Sequence, residues 1–263
     1  MKISAQLYTV REDTKTATGF REALRKIADI GYRSVQLSAV GAMDGDAPEL
    51  TALDARAILD ELGLESTATH RPLTRLQHHA DEEIEFHRAL GAGYAAIGIA
   101  PQGYFEGEIE GFRQLADDLS PIVDRLDRAG IEFGYHNHAV EFGRFGPERR
   151  TLFETLVEHA DPRLKFEIDT YWVVHAGTDL VDLIERLSGR LPVVHLKDRE
   201  MVGWEADFAP VGEGNLPWPK ILKALESAGT HTVVVEQDIC RRDPYDCLAS
   251  SLRYLRKLVP DAE

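Results

Sequence analysis

IEGFRQLADDLSPIVDRLDRAGIEFGYHNH, residues 109–138, contains the unit from which the rest of the chain is built. Leu115, Leu119, Ile122 and Leu126 fall three and four residues apart, the apolar stripe of an amphipathic helix. Gly130 then supplies the usual helix stop, a residue free to adopt a left-handed backbone. IEFGYHNH is a short run that reads as a buried strand. Working outward, the theme recurs, with strands expected at 2–10, 34–40, 65–70, 94–100, 131–138, 164–172, 192–198 and 231–238. Helical patterns such as GFREALRKIADIG (19–31) and APELTALDARAILDELG (47–63) lie between them, with stops at Gly31 and Gly63. Eight such units imply parallel strands joined by right-handed crossovers. The first strand–helix junction, YTVREDTKTATGF (8–20), lacks the glycine fingerprint of an open dinucleotide-binding sheet. The expected fold is therefore α/β, a single-domain (β/α)8 TIM barrel over residues 1–263.

The length agrees, since 263 residues is close to the roughly 250 of such barrels. Acidic residues outnumber basic ones 45 to 30, for a net charge of −15. With no lysine-rich run to neutralise phosphates, nucleic acid is not an expected partner. No stretch approaches the ~20 apolar residues of a membrane span, and the N-terminus runs straight into a strand pattern with no signal-peptide features. The expectation is a cytoplasmic protein without a membrane partner. Cys240 and Cys247 match no metal or redox spacing and read as unpaired thiols.

In such a barrel, chemistry sits where the strands end, and inward-facing residues lie two apart. The fifth strand offers His136 and His138, with Glu141 just beyond. The sixth places Glu167 and Asp169 on one face, the seventh His195 and Lys197, the eighth Glu236 and Asp238. Burying so many charges uncompensated would cost several kcal/mol per ion, and a divalent cation is the simplest compensation. His70, at the end of the third strand, lies within reach of the same mouth. Tyr8, Tyr171, Trp172 and Trp204 lie at or near it, placed equally to stack on a sugar-like ring or to pack in the core or the rim. His78, His79, His87 and His159 fall in helical segments and are expected on solvated faces.

The ordered set YHNHAVEF (135–142), FEIDTYWVVHAGTDL (166–180), VVHLKD (193–198), PVGEGNLPW (210–218) and VVVEQD (233–238) resembles the sugar phosphate isomerase/epimerase family, the xylose isomerase-like TIM barrels. The resemblance runs from AQLYTVR to the last strand. It implies one divalent metal ion, Mn²⁺ foremost, with Mg²⁺, Co²⁺ or Zn²⁺ as alternatives, held by Glu141, Asp169, His195 and Glu236. Many family epimerases carry a glutamate within the fifth strand, where this chain has His136. The branch resembling inosose dehydratases keeps two alternating histidines there and takes its ligand from just downstream, which selects Glu141. Trp172 stands where epimerases often have a histidine.

Three carboxylates and one imidazole form a hard ligand set, suited to Mn²⁺ or Mg²⁺. The resemblance implies an isomerase or epimerase acting on a sugar or keto-sugar, phosphorylated or not, through an enediolate stabilised by the ion. Glu141 and Glu236 would flank the substrate, His138 would shuttle a proton and Lys197 would neutralise the oxyanion. His136, His70, Tyr8, Glu167, Trp172 and Asp238 would contact the substrate. The alternative is a lyase or dehydratase acting on a keto-inositol or 3-keto-glycoside; a non-catalytic sugar-binding or metal-binding barrel and an endonuclease rank lower. The expected partner is a small sugar-derived molecule, and a homo-oligomer is compatible with the sequence.

Overall fold

The computed structural model describes residues 1–45 and 47–260. Eight parallel strands form a nearly closed barrel: β1 (Lys2–Gln6), β2 (Ser34–Leu37), β3 (Glu65–His70), β4 (Tyr94–Ile97), β5 (Glu132–His136), β6 (Lys165–Glu167), β7 (Val193–Leu196) and β8 (Thr232–Val235). Their order round the sheet is β6-β5-β4-β3-β2-β1-β8-β7. The seam between β6 and β7 is narrow. It is closed by one parallel bridge, Asp169 to His195, where the His195 N–H donates to the Ile168 carbonyl at 2.9 Å.

All eight expected strands are present, and most are shorter than their sequence patterns. At the first, Leu7–Val10 leaves the sheet as a 3₁₀ turn. At the sixth, the TYW of KFEIDTYW begins the helix Thr170–His175, because Asp169 caps it, accepting from the Trp172 N–H at 3.0 Å. The helix expected from 47 begins at Ala52. There Thr51 and Asp54 form a reciprocal capping box, which fixes the start at that point. The helix of the opening stretch spans Glu108–Arg128 and buries Phe112, Leu115, Leu119, Ile122 and Leu126 against the barrel.

Period-two alternation sorts the strand residues into two environments. Outward residues such as Val35, Leu37, Phe166, Val194, Leu196, Val233 and Val235 belong to the large core shared with the helices. Inward residues form layers. Ala68, Tyr94, Ala96, Val193 and Val234 make a small apolar cluster inside the barrel. Two residues further along β3, β7 and β8 come His70, His195 and Glu236. The apolar plug thus closes the lumen beneath a polar layer at the C-terminal ends. After β7 the chain makes an antiparallel hairpin, Asp198–Val202 with Glu205–Ala209.

Candidate metal and substrate site

The polar layer is a connected network. Glu167 is fully buried and accepts from Gln36 Nε2 at 3.0 and 3.2 Å and from His70 Nε2. His195 Nε2 lies 3.0 Å from the same carboxylate and 2.7 Å from Gln36 Oε1, while its Nδ1 lies 2.7 Å from Glu236 Oε2. With acceptors at both ring nitrogens, His195 is held as an imidazolium. Burial opposes its charge, but Glu167 and Glu236 outweigh burial and raise its pKa to about 10. The same pairing acts in reverse on Glu167: burial pushes it up, and the His195 and His70 charges pull it well below the usual carboxylate range.

Lys197 is 1% exposed, an unusual place for an ammonium. Its Nζ lies 2.9 Å from Asp169 Oδ2, 3.1 Å from Glu236 Oε2 and 2.7 Å from Asp238 Oδ1. Burial works against this charge, and the three carboxylates override it and raise the pKa. Burial dominates at Asp169, however, and lifts its pKa to about 6 despite Lys197. The sequence reading assigned all charge compensation to a divalent ion; the structure supplies part of it from Lys197 and His195. The four carboxylates (Glu167, Asp169, Glu236, Asp238) outnumber these two cations, an excess of negative charge that favours a further cation there.

Two groups of converging donor atoms lie in this layer, each with its atoms within 4.8 Å of one another: Asp169, His195 and Glu236, and His70, His136, Glu167 and His195. An ion with metal–oxygen distances of about 2.1–2.4 Å spans donors on that scale. The fit is supported by His136 Nδ1, which is buried without a hydrogen-bond partner and lies 3.5 Å from Glu167 Oε1. A His/Glu/Asp cluster able to take a divalent metal is therefore present.

Glu141 sits apart from both groups. Residues Val140–Phe142 form a 3₁₀ turn that folds the side chain back under β5. Its Oε1 accepts from the Tyr135 hydroxyl at 2.8 Å and its Oε2 from the His138 N–H at 2.9 Å. Burial raises its pKa to about 7. His138 stays in the mouth, 5.7 Å from the Trp172 ring, with Nδ1 unpartnered. Burial, reinforced by the Lys197 charge, lowers the pKa of His138 to about 4, so its imidazole is neutral.

These groups form one end of a cavity of about 600 Å³, lined among others by Tyr8, His70, His136, His138, Lys197, Glu236 and Asp238. Glu167 and Asp169 lie at 0% exposure, behind this surface. Tyr171 is buried against Phe208, with ring centroids 4.2 Å apart, and Trp204 is 97% exposed at the hairpin turn. His87, expected on a solvated face, is fully buried and pairs with Thr69 Oγ1 at 2.7 Å. Its helical neighbours are charged, and that hid the inward face on which it sits.

Three contributors escaped the sequence reading. Gln36 joins Glu167 to His195, and Asn137 Oδ1 accepts from the Asp169 N–H at 3.2 Å. Asp198, just beyond β7, is fully buried. It accepts from the N–H groups of Arg199, Gly212, Gly214 and Leu216 and from Trp218 Nε1. The available signal was a polar residue inside an apolar strand, as at Gln36 in SVQL.

A family model described as xylose isomerase-like TIM barrel matches residues 24–258. The chain belongs to that family. Among xylose isomerase-like proteins, it is 28% identical over 170 residues to an inosose dehydratase of Mesomycoplasma hyopneumoniae. That match covers 56% of this chain and 55% of the relative, so the chain spans about half that relative's length. An inosose dehydratase of Clostridium beijerinckii is 21% identical over 272 residues, 90% of this chain and 89% of that one. In fold the chain is similar to a sugar phosphate isomerase/epimerase from Parabacteroides distasonis, with a TM-score of 0.81, 21% identity and coverage of 100% of this chain and 95% of that one. Its homologues in the family are thus enzymes named for small, sugar-like substrates. Among the described residues, no helix is long and apolar enough to cross a membrane.

Proposed function

We propose that this protein is a divalent-metal-dependent lyase that eliminates water or an alcohol β to the carbonyl of a keto-sugar or keto-cyclitol, a keto-inositol or a 3-keto-glycoside. The observation that carries this reading is the asymmetry of the mouth. Strand β5 contributes two histidines and no free carboxylate, because Glu141 is engaged by Tyr135 and the His138 N–H. Epimerisation through two flanking carboxylates lacks one of its partners in this arrangement. Elimination needs one group that takes a proton from carbon and gives it to the departing oxygen, and neutral, cavity-lining His138 suits that task. The names of the curated relatives, inosose dehydratases, support the same class.

Asp169, His195 and Glu236 would hold the ion, Mn²⁺ by the hardness of the donors. Bound there, it supplies Lewis-acid polarisation of the substrate carbonyl. His138 removes the proton α to the carbonyl; the Cα–H electrons form the new double bond as the Cβ–O bond breaks. The oxygen leaves as water or an alcohol with the proton from His138. Lys197 keeps positive charge beside the developing oxyanion, and Gln36 and Glu167 fix the His195 ring.

The test is incubation with Mn²⁺ and either a keto-inositol or a 3-keto-glucoside, followed by mass analysis. The expected product is an enone lighter by water or by the released alcohol. The second reading, isomerase or epimerase, rests on Glu236 and His138 both lining the cavity and serving as its proton-transfer pair. A product of unchanged mass that gains deuterium from D₂O would favour that reading and overturn the lyase.

A further inference from the structure

The cavity is larger than its polar floor, and its remaining walls are of a different kind. Pro72, Leu73, Ile99, Ala100 and Pro101, from the loops after β3 and β4, line another part of it. Ile99 is 58% exposed, a large apolar side chain displayed at the rim without a partner. Its loop is pinned by Gly98, where any Cβ would come within 2.9 Å of His70 Nδ1. The wall thus sits directly against the floor. A volume of about 600 Å³ lies within the roughly 300–1,000 Å³ range of drug-sized ligands, and a single six-membered sugar ring fills only part of it.

The usual occupant of a second subsite in a sugar-phosphate barrel is the phosphate, and here its recognition elements are already spent. Among the described residues, one lysine and one arginine line the cavity: Lys197, held among three carboxylates, and Arg71, bidentate on buried Glu83. In this fold the loops after β7 and β8 commonly supply backbone N–H groups to phosphate. In this chain the Gly212, Gly214 and Leu216 N–H groups converge on the Asp198 carboxylate, an internal anion standing where an external one would bind. Glu236 and Asp238 face the cavity and would repel a dianion.

We propose that Pro72, Leu73, Ile99 and Pro101 form a second, apolar subsite that takes an uncharged apolar substituent of the substrate, an aryl or alkyl aglycone, and not a phosphate. The proposal rests on the keto-sugar reading of the polar floor and, within it, selects a glycoside over a free keto-inositol or a sugar phosphate.

The test is calorimetric binding with Mn²⁺ present, using phenyl β-D-glucopyranoside, methyl β-D-glucopyranoside and glucose 6-phosphate. These probes carry no carbonyl to activate, so binding is read without turnover. An elimination assay that fails while the aryl preference holds strikes the reaction alone. The phenyl glucoside is expected to bind about 10-fold more tightly than the methyl glucoside, from the apolar area its ring covers. Glucose 6-phosphate should bind no better than the methyl compound. Ile99→Ser, at an exposed position that leaves the core intact, should cut the aryl advantage to about 3-fold or less. The proposal is overturned if phenyl and methyl glucosides bind equally or neither binds measurably, if glucose 6-phosphate binds best, or if Ile99→Ser keeps the full preference.

Discussion

Asp169 divides its two oxygens between two tasks: Oδ1 caps the helix Thr170–His175, while Oδ2 faces the Lys197 ammonium at 2.9 Å. The two can be separated, because asparagine caps a helix as well as aspartate but carries no charge. Asp169→Asn and Glu236→Ala are each expected to weaken Mn²⁺ binding at least about 10-fold, read as metal retained after dialysis. Glu141→Gln should retain metal, because both Glu141 oxygens are engaged within the β5 turn. Parental metal content in both the Asp169 and Glu236 variants would remove those residues from the ligand set, and loss of metal in Glu141→Gln would restore Glu141 to it. His138→Asn addresses the proton instead. It should leave metal content unchanged and reduce turnover by about 10²–10⁴-fold; turnover close to the parent's would assign proton transfer elsewhere.

At the scale of elements, the segment from the hairpin to Trp218 is organised round one buried carboxylate. The Asp198 side chain accepts from four backbone N–H groups and one indole, and Gly214 packs so closely that a Cβ there would come within 2.4 Å of Asp198 Oδ1. Removing the charge leaves several buried donors weakly satisfied. Asp198→Asn should therefore lower the unfolding free energy by about 2–4 kcal/mol, measured by urea denaturation. A loss below about 1 kcal/mol would mean that other contacts hold the segment. This element also marks where sequence reading stops. Strand and helix periodicity is a local property, so the eight strands and the barrel were legible, as were the pairs of polar residues at the mouth. Partner choice is not local. Gln36 meets His195 across 159 positions of sequence, and nothing near either residue announces the other. The turn at Val140–Phe142 was illegible for a related reason: spacing brings Glu141 near the mouth, but local backbone geometry decides which way its carboxylate points.

At the scale of the molecule, the candidate ion site lies on the barrel's weakest seam. Strands β6 and β7 are joined by the Asp169–His195 bridge, and Glu236 follows the neighbouring β8, so an ion held by these three residues would tie β6, β7 and β8 together. Ligand binding to the native state alone stabilises it by about 2.7 kcal/mol at a hundredfold excess over Kd. For a chain of this size that corresponds to a rise in Tm of roughly 5–10 °C. The pH dependence follows from His195. Its pKa is raised to about 10 in the metal-free protein, above the ~6.5 of an unfolded histidine. Its contribution to stability is thus full below ~6.5 and is lost as pH rises through 10. A metal ligand must be deprotonated, so Mn²⁺ competes with that same proton and binds more tightly as pH rises. In calorimetric melts between pH 6.5 and 9, the EDTA-treated protein should lose stability as pH increases, while the Mn²⁺-dependent rise in Tm grows. The rise should fall by about half or more in Asp169→Asn at every pH. A rise independent of pH would show that His195 keeps its proton when the ion binds, and would place the ion on the carboxylates alone.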